Sequence, residues 1–276
     1  MFKIKKAILP VAGMGTRIMP LTLHQPKAMV GIVDRPMIHY MIDEVIEAGI
    51  NHIIIVAGPR QKEFKRYISH LQKNPEWRNR RVKFSFVVQK TPAGNGDAIY
   101  VAKKYIDSAP FVVCFSDDLL ADKINPVKKM MEIYQENDGP VILLEPVPAQ
   151  EVSKYGVVDA IKANSDDLFL IRDVAEKPRP EDAPSNLTII GRYILNKEIL
   201  QEIGKLYPAK KGKEIGLADA LKNYARRGGR LYGWQFRGMR FDAGSKLGIL
   251  KAQAYFGLKH KDIGPEFQKY LSENLR

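Results

Sequence analysis

Residues 6–17, KAILPVAGMGTR, decide the fold. The apolar run Lys6 to Val11 reads as a buried strand. It runs directly into the turn Gly13-Met14-Gly15-Thr16-Arg17. Glycine reaches positive φ without a steric clash and lets backbone N–H groups come close to an anion. Arg17 adds a forked cation that suits a phosphate oxygen. The third glycine of a dinucleotide fingerprint is absent, and no Gly-Lys-Ser/Thr follows, so the turn is neither that fingerprint nor a Walker A loop. Taken alone, the glycine pair fits a tight strand-to-helix turn equally well.

Outward from this turn, short apolar runs alternate with helical spacing. Strands are predicted at His52 to Ala57, Val82 to Gln89 and Phe111 to Phe115. Helices are predicted over Pro36 to Ala48, with Gly49 just past the end, over Gln61 to Leu71 and over Asn95 to Tyr105. Continuous apolar strands alternating with helices predict an α/β fold with a parallel sheet covered on both faces. After about residue 140 the pattern changes. Val141 to Leu144, Gly156 to Asp159, Leu168 to Ile171 and Leu187 to Leu195 read as mixed or antiparallel strands added to the same sheet. Helices return at Lys197 to Ile203, Glu214 to Ala225 and Lys246 to Tyr255. No repeat or low-complexity linker interrupts the chain, so residues 1–276 are expected to form one domain. Its nucleotide-binding half would run to about 140 and its sugar-binding half to about 258, with a helical tail after that. The segment Glu176 to Pro184 is expected to be an ordered loop.

The chain carries 45% hydrophobic and 27% charged residues, as an ordinary globular protein does. One cysteine, Cys114, cannot form an internal disulfide. No basic-then-apolar leader and no membrane-length apolar run is visible, so a cytoplasmic location and no membrane partner are expected. The net charge is +13. Nine basic residues between Arg60 and Lys83, against Glu63 and Glu76, hold much of the excess. A charge run of this kind reads as a solvated face. Tyr67 and Trp77 are too few to interleave as a base-stacking surface, so nucleic acid is not an expected partner. The five histidines show no zinc spacing with Cys114, and no Gly-x-Ser-x-Gly elbow is present.

The continuation of the turn reads GMGTRIMPLTLHQPKAMVGIVDRPMIHY. Gly15-Thr16-Arg17, Pro20, Thr22, Pro26-Lys27 and Arg35-Pro36-Met37 fall in one register. Here the sequence resembles the sugar-nucleotide pyrophosphorylases. Tyr155-Gly156-Val157-Val158, Glu176-Lys177-Pro178, Ala183 to Leu187, Gly191-Arg192-Tyr193 and Asp242 to Lys246 resemble, more narrowly, the bacterial UTP–glucose-1-phosphate uridylyltransferases. The resemblance runs from Lys6 to about Leu258. It implies a Rossmann-like nucleotide-diphospho-sugar transferase fold, with a mostly parallel central mixed sheet flanked by helices. It implies formation of UDP-glucose and pyrophosphate from UTP and glucose 1-phosphate, with Mg²⁺, in a dimer or tetramer.

The resemblance also assigns roles. Ala12, Gly13, Gly15 and Thr16 would wrap the triphosphate, and Arg17 and Lys27 would contact phosphate. Gln89 and Gly94 would read the base. Asp117 and Asp242 would hold the metal, with Asp118 the neighbour most easily confused with Asp117. Lys177 would hold the sugar phosphate, while Gly156, Glu176, Ile189 and Gly191 would take the sugar. These roles meet a physical need, because nucleotidyl transfer asks a protein mainly to position anions and neutralise charge. An amide such as Gln89 pairs with the imide edge of uracil or thymine alike, so UTP and dTTP stay open.

The sequence departs from the family where Ala28, Asp97, Gly216 and Ala218 replace glutamate, histidine, glutamine and threonine. Each lies in or beside a segment expected near substrate. The chemistry is therefore expected to be kept, with dTTP or another hexose 1-phosphate the alternative to the favoured pair.

Overall fold

A computed structural model describes residues 3–59, 61–209 and 212–274. Arg60, the first of the counted basic residues, lies outside the described residues. The first strand, β1 (Lys6–Pro10), is followed by the two-residue strands β2 (Gly31–Ile32) and β3 (Arg35–Pro36). Next come α1 (Met37–Glu47), β4 (His52–Ala57), α2 (Gln61–Lys73), α3 (Pro75–Asn79), β5 (Lys83–Val88), α4 (Asn95–Tyr100) and β6 (Phe111–Cys114). The middle of the chain forms β7 (Asp118–Ala121), α5 (Pro126–Asn137), β8 (Val141–Pro146), β9 (Gly156–Lys162), β10 (Leu168–Glu176) and β11 (Leu187–Leu195). The remainder is α6 (Lys197–Lys205), α7 (Leu217–Arg226), β12 (Leu231–Gln235), β13 (Met239–Asp242), α8 (Lys246–Leu258) and α9 (Gly264–Asn274).

Nine of these strands form one sheet in the order β5-β4-β1-β6-β11-β8-β12-β10-β9. From β5 to β6 the neighbours run parallel. Beyond β6 the pairings are antiparallel, except that β12 lies parallel to β8. The continuous apolar strands are buried on both faces because successive side chains feed two separate cores. Ala7 and Leu9 of β1 join Ile53, Ile55 and Val112 beneath α1, α2 and α5. Ile8 joins Ile54, Val56 and Val113 beneath α4, α6 and α7. On α2 only Phe64, Ile68 and Leu71 are buried, and the helix turns its basic side chains outward.

Several expectations change: β12 of the main sheet has no predicted strand, the helix expected from Glu214 begins at Leu217, and Glu176, expected in a loop, ends β10. The helix predicted from Asn95 to Tyr105 stops at Tyr100, and a separate 3-10 turn occupies Lys103–Tyr105. A small second sheet has no counterpart in the sequence reading: β7 pairs antiparallel with β13, setting Asp118 opposite Asp242. No helix among the described residues is long and apolar enough to cross a membrane.

The sheet order reverses at β1, which has β4 on one side and β6 on the other. In open α/β sheets a crevice opens at such a point, beyond the carboxyl ends of the strands. The glycine turn leaves β1 there, and Ser116-Asp117 leaves β6 there.

Candidate active site

The turn after β1 is built tightly. Gly15 has φ +67°, and a Cβ on it would lie 2.8 Å from Thr22 Cγ2 and 2.9 Å from Lys27 Cβ, so only glycine fits. The Thr22 hydroxyl donates to the Gly15 carbonyl at 2.9 Å and holds the loop against the Pro26-Lys27 segment. Arg17 stays exposed, whereas Lys27 is buried. Lys27 Nζ donates to Asp117 Oδ2 at 3.2 Å, and Arg17 Nη2 lies 4.0 Å from the same oxygen. Burial alone would raise the Asp117 pKa. Lys27 and Arg17 outweigh it and hold the carboxyl below the usual aspartate value.

The β7–β13 pairing brings in the second acid. The Ala243 N–H donates to the Asp117 carbonyl at 2.8 Å, and Asp242 Oδ1 accepts from the Gly244 N–H at 2.8 Å. A Cβ on Gly244 would sit 2.7 Å from both Arg17 Nη2 and Asp242 Oδ1, and 3.1 Å from Lys27 Nζ. Two cations and a carboxylate therefore surround one point, beside Asp117. Asp118 faces away from this point. Its carboxylate accepts from Arg240 Nε and from the Gly191 N–H, and it is buried.

On the far side, β9 and β10 pair so that Gly156 stands opposite Glu176. Lys177 takes a left-handed backbone (φ 47°), and its N–H donates to the Tyr155 carbonyl at 2.9 Å. Positive φ is uncommon for a residue with a side chain and tends to mark functional loops. Lys177 Nζ lies 3.2 Å from Glu176 Oε1. A Cβ on Gly191 would be 2.6 Å from Asp118 Oδ2, and one on Gly156 would be 3.3 Å from Ile189 Cδ1.

These groups line two joined cavities. One, of about 320 Å³, is lined by Ala12, Gly13, Gly15, Lys27, Gln89 and Gly94. The other, of about 850 Å³, is lined by Gly156, Glu176, Lys177, Ile189, Gly191 and Asp242. Thr16, Arg17 and Asp117 line both. Every residue to which the resemblance gives a role thus lines one of the two spaces.

Residues 6–264 match the family model described as nucleotidyl transferase. This chain belongs to the nucleotidyl transferase family. Among its relatives, the UTP–glucose-1-phosphate uridylyltransferase of Streptococcus pneumoniae is 34% identical over 98% of this chain and 95% of its own. That of Staphylococcus epidermidis is 34% identical over 99% of each chain. A UDP-glucose pyrophosphorylase complexed with UDP-glucose superposes with a TM-score of 0.85 at 37% identity, covering 94% of this chain and 100% of the other. The UTP-bound enzyme of Acinetobacter baumannii gives a TM-score of 0.83 at 33% identity over 99% and 100%.

Several residues of this nucleotidyl transferase chain had no role assigned from the sequence. Arg240 donates to Asp118 and, at 2.9 Å, to Glu145, and lies 4.9 Å from the Tyr155 ring centroid. It braces the wall of the larger cavity. Glu214 and Asn95 line both cavities. Arg192, fully buried on β11, donates to both Glu44 oxygens at 2.8 and 2.7 Å and to the carbonyls of Phe115 and Asp118. It ties the strand end that carries Asp117 to α1. Of the four departures, Ala218 lines the larger cavity, while Ala28 is buried in the core under α1.

Gly248, in the first turn of α8, was also missed. A Cβ there would lie 1.8 Å from the Asp242 carbonyl oxygen. Gly248→Ala must therefore push α8 away from Asp242. Overpacking of this kind costs about 1–3 kcal/mol. We expect a lower melting temperature together with reduced turnover, read from a thermal melt and initial rates.

Among the described residues no three or more His, Cys, Asp and Glu side chains gather as a metal cage. Asp117 and Asp242 form a pair of hard oxygen donors instead. Such a pair fits Mg²⁺, which binds through one or two carboxylates, substrate phosphates and water.

Proposed function

We propose that this protein makes UDP-glucose and pyrophosphate from UTP and glucose 1-phosphate. The observation that carries the reading is the gathering of Arg17, Lys27, Asp117 and Asp242 where the two cavities meet. The cavity bounded by the glycine turn and Gln89 takes the nucleoside triphosphate. Backbone N–H groups of Gly13 to Thr16 cradle its phosphates, and Arg17 and Lys27 neutralise them. The cavity bounded by Glu176 and Lys177 takes the sugar phosphate. Glu176 accepts from sugar hydroxyls, Lys177 holds the phosphate, and Gly156, Ile189 and Gly191 shape the wall.

The sugar phosphate oxygen attacks the α-phosphorus in line, the bond to the β-phosphate oxygen breaks, and pyrophosphate leaves with its electron pair. The attacking group is already an anion, so no protein base and no protein nucleophile is needed. The Cys114 thiol is pushed up to about 12 by burial and takes no part. Mg²⁺ held by Asp117 and Asp242 would neutralise charge on the triphosphate. Lys27 and Arg17, now drawn to Asp117, turn to phosphate when substrate enters.

Support comes from the relatives solved with UTP and with UDP-glucose. The alternative, dTTP or another hexose 1-phosphate, draws support from Ala218, which lines the sugar-side cavity in place of a hydroxyl residue. A panel of triphosphates and hexose 1-phosphates with Mg²⁺, followed by pyrophosphate release, tests both. UTP with glucose 1-phosphate should give the highest kcat/KM. No release from any pair would refute nucleotidyl transfer.

Lys177→Ala should raise the KM for glucose 1-phosphate by roughly tenfold or more, the loss of about one charge-assisted hydrogen bond. The KM for UTP should move little. A selective loss for UTP would mean that the two phosphate sites are reversed.

We further propose that the reaction takes place in the cytoplasm, on small molecules alone, and that a second copy covers the exposed Leu247, Leu250 and Leu258 of α8. Sedimentation velocity at micromolar concentration checks the last point: a lone 31.3 kDa species would contradict it.

A further inference from the structure

Asp97 replaces the family's usual residue directly behind the candidate base reader. It sits in the first turn of α4 and is buried. Its Oδ2 accepts from Gln89 Nε2 at 2.6 Å, and its Oδ1 accepts from the Tyr207 hydroxyl. The Tyr207 ring stacks on Tyr100, with centroids 4.8 Å apart, which fixes the hydroxyl. The second N–H of Gln89 donates to the Gly94 carbonyl at 3.1 Å.

A carboxylate only accepts, and so does a backbone carbonyl. Both hydrogens of the Gln89 amide are therefore committed, and the amide cannot flip without setting its oxygen against two acceptors. Gln89 is only 5% exposed, yet its Oε1 is not sealed in the core and accepts no hydrogen bond from the described residues. Gln89 lines the nucleotide-side cavity, and with Nε2 spent on Asp97 and Gly94 its Oε1 is the acceptor left to a ligand there.

The geometry points to Asp97 as a positioning residue that locks the Gln89 amide, so that the site selects a base whose ring presents an N–H. Uracil and thymine present N3–H. Cytosine presents a bare N3 acceptor, which would face Oε1 with no proton between them. The inference rests on the uridylyl-transfer reading and adds to it the means by which cytosine is refused. It makes no distinction between UTP and dTTP.

The test compares kcat/KM for UTP and CTP, with glucose 1-phosphate and Mg²⁺, in wild type, Asp97→Asn and Asp97→Asn/Tyr207→Phe. Wild type should prefer UTP by at least ~100-fold, because an unpaired buried polar group rejects the wrong ligand strongly. In Asp97→Asn the Tyr207 phenol, a better donor than acceptor, favours the new amide oxygen. This turns the amide nitrogen toward Gln89 and leaves the Gly94 carbonyl as the one remaining acceptor opposing a turned-over Gln89. The UTP-to-CTP ratio should then fall at least tenfold, about one hydrogen bond's worth of discrimination. The KM for glucose 1-phosphate should stay within twofold. Removing the hydroxyl as well frees the introduced amide to present its oxygen to Gln89, and the ratio should recover in part.

A ratio in Asp97→Asn within twofold of wild type would overturn the inference while leaving uridylyl transfer standing. Absence of turnover with every triphosphate would instead sink the reaction itself. Calorimetric binding of UTP and CTP reads the preference without turnover. Should Asp97→Asn not fold, wild type with N3-methylated UTP serves: a loss of ~100-fold is expected, and use within twofold of UTP would overturn the lock.

Discussion

Asp117→Asn is expected to lower kcat by on the order of a hundredfold or more, a barrier increase of at least ~2.7 kcal/mol. The change keeps shape and removes one negative charge. That charge is the one toward which Lys27 and Arg17 converge, and with Asp242 it forms the hard-oxygen pair suited to Mg²⁺. Asp242→Asn should behave alike, since the Ala243 N–H bonded to the Asp117 carbonyl brings Asp242 to the same cavity. Asp118→Asn provides the contrast. Asp118 is spent on Arg240 and the Gly191 N–H, so its loss should lower the melting temperature as well as the rate. Steady-state rates and thermal melts on the three variants separate the roles. Near wild-type turnover in Asp117→Asn would contradict the site.

Glu44→Ala should be the most damaging single change to stability. Arg192 lies fully buried on β11, and Glu44 is its carboxylate partner through two short hydrogen bonds. Burial alone would lower the guanidinium pKa, and Glu44 outweighs it, raising the value above that of a free arginine. Removing the partner leaves a buried cation uncompensated, which costs about 3–5 kcal/mol. The melting temperature should drop by roughly 10 °C or more for a chain of this size. Urea unfolding gives the same quantity independently. A loss below ~1 kcal/mol would show that Arg192 finds its compensation elsewhere, for instance from the carbonyls of Phe115 and Asp118.

The parts of the fold that were legible in the sequence are those with local signals. His52–Ala57 and Leu187–Leu195 match their predicted strands because a run dominated by apolar, largely β-branched residues is a local property, even where Gly191 and Arg192 interrupt it. The pair β7 and β13 was not legible. Each has four residues and buries mainly one apolar side chain, and their partnership spans more than a hundred positions. Helix α5 does carry a signal, the Asn125 cap followed by Pro126, with Asn125 Oδ1 accepting from the Lys128 N–H at 3.0 Å. Val127, Met130, Ile133 and Tyr134 add a buried stripe at helical spacing, so this helix was legible and the sequence reading passed over it.

The candidate site divides the same way. The charged anchors and glycines after β1 stand in a readable register. Gly248 and Arg240 matter only through close approaches to distant backbone and side chains, which no spacing reveals. Gly94 carries a second duty besides base reading. Its φ is +113°, and a Cβ on it would lie 2.5 Å from the Ile215 carbonyl oxygen, so glycine is required there for packing alone.

The central claim is direct attack of a sugar phosphate on UTP at one site, with no covalent nucleotidyl-protein intermediate. Exchange of labelled pyrophosphate into UTP, measured with Mg²⁺ in the presence and absence of glucose 1-phosphate, tests it most directly. Labelled UTP is expected only when glucose 1-phosphate is present. Label entering UTP without the sugar would mean that a protein group attacks first, and would contradict it.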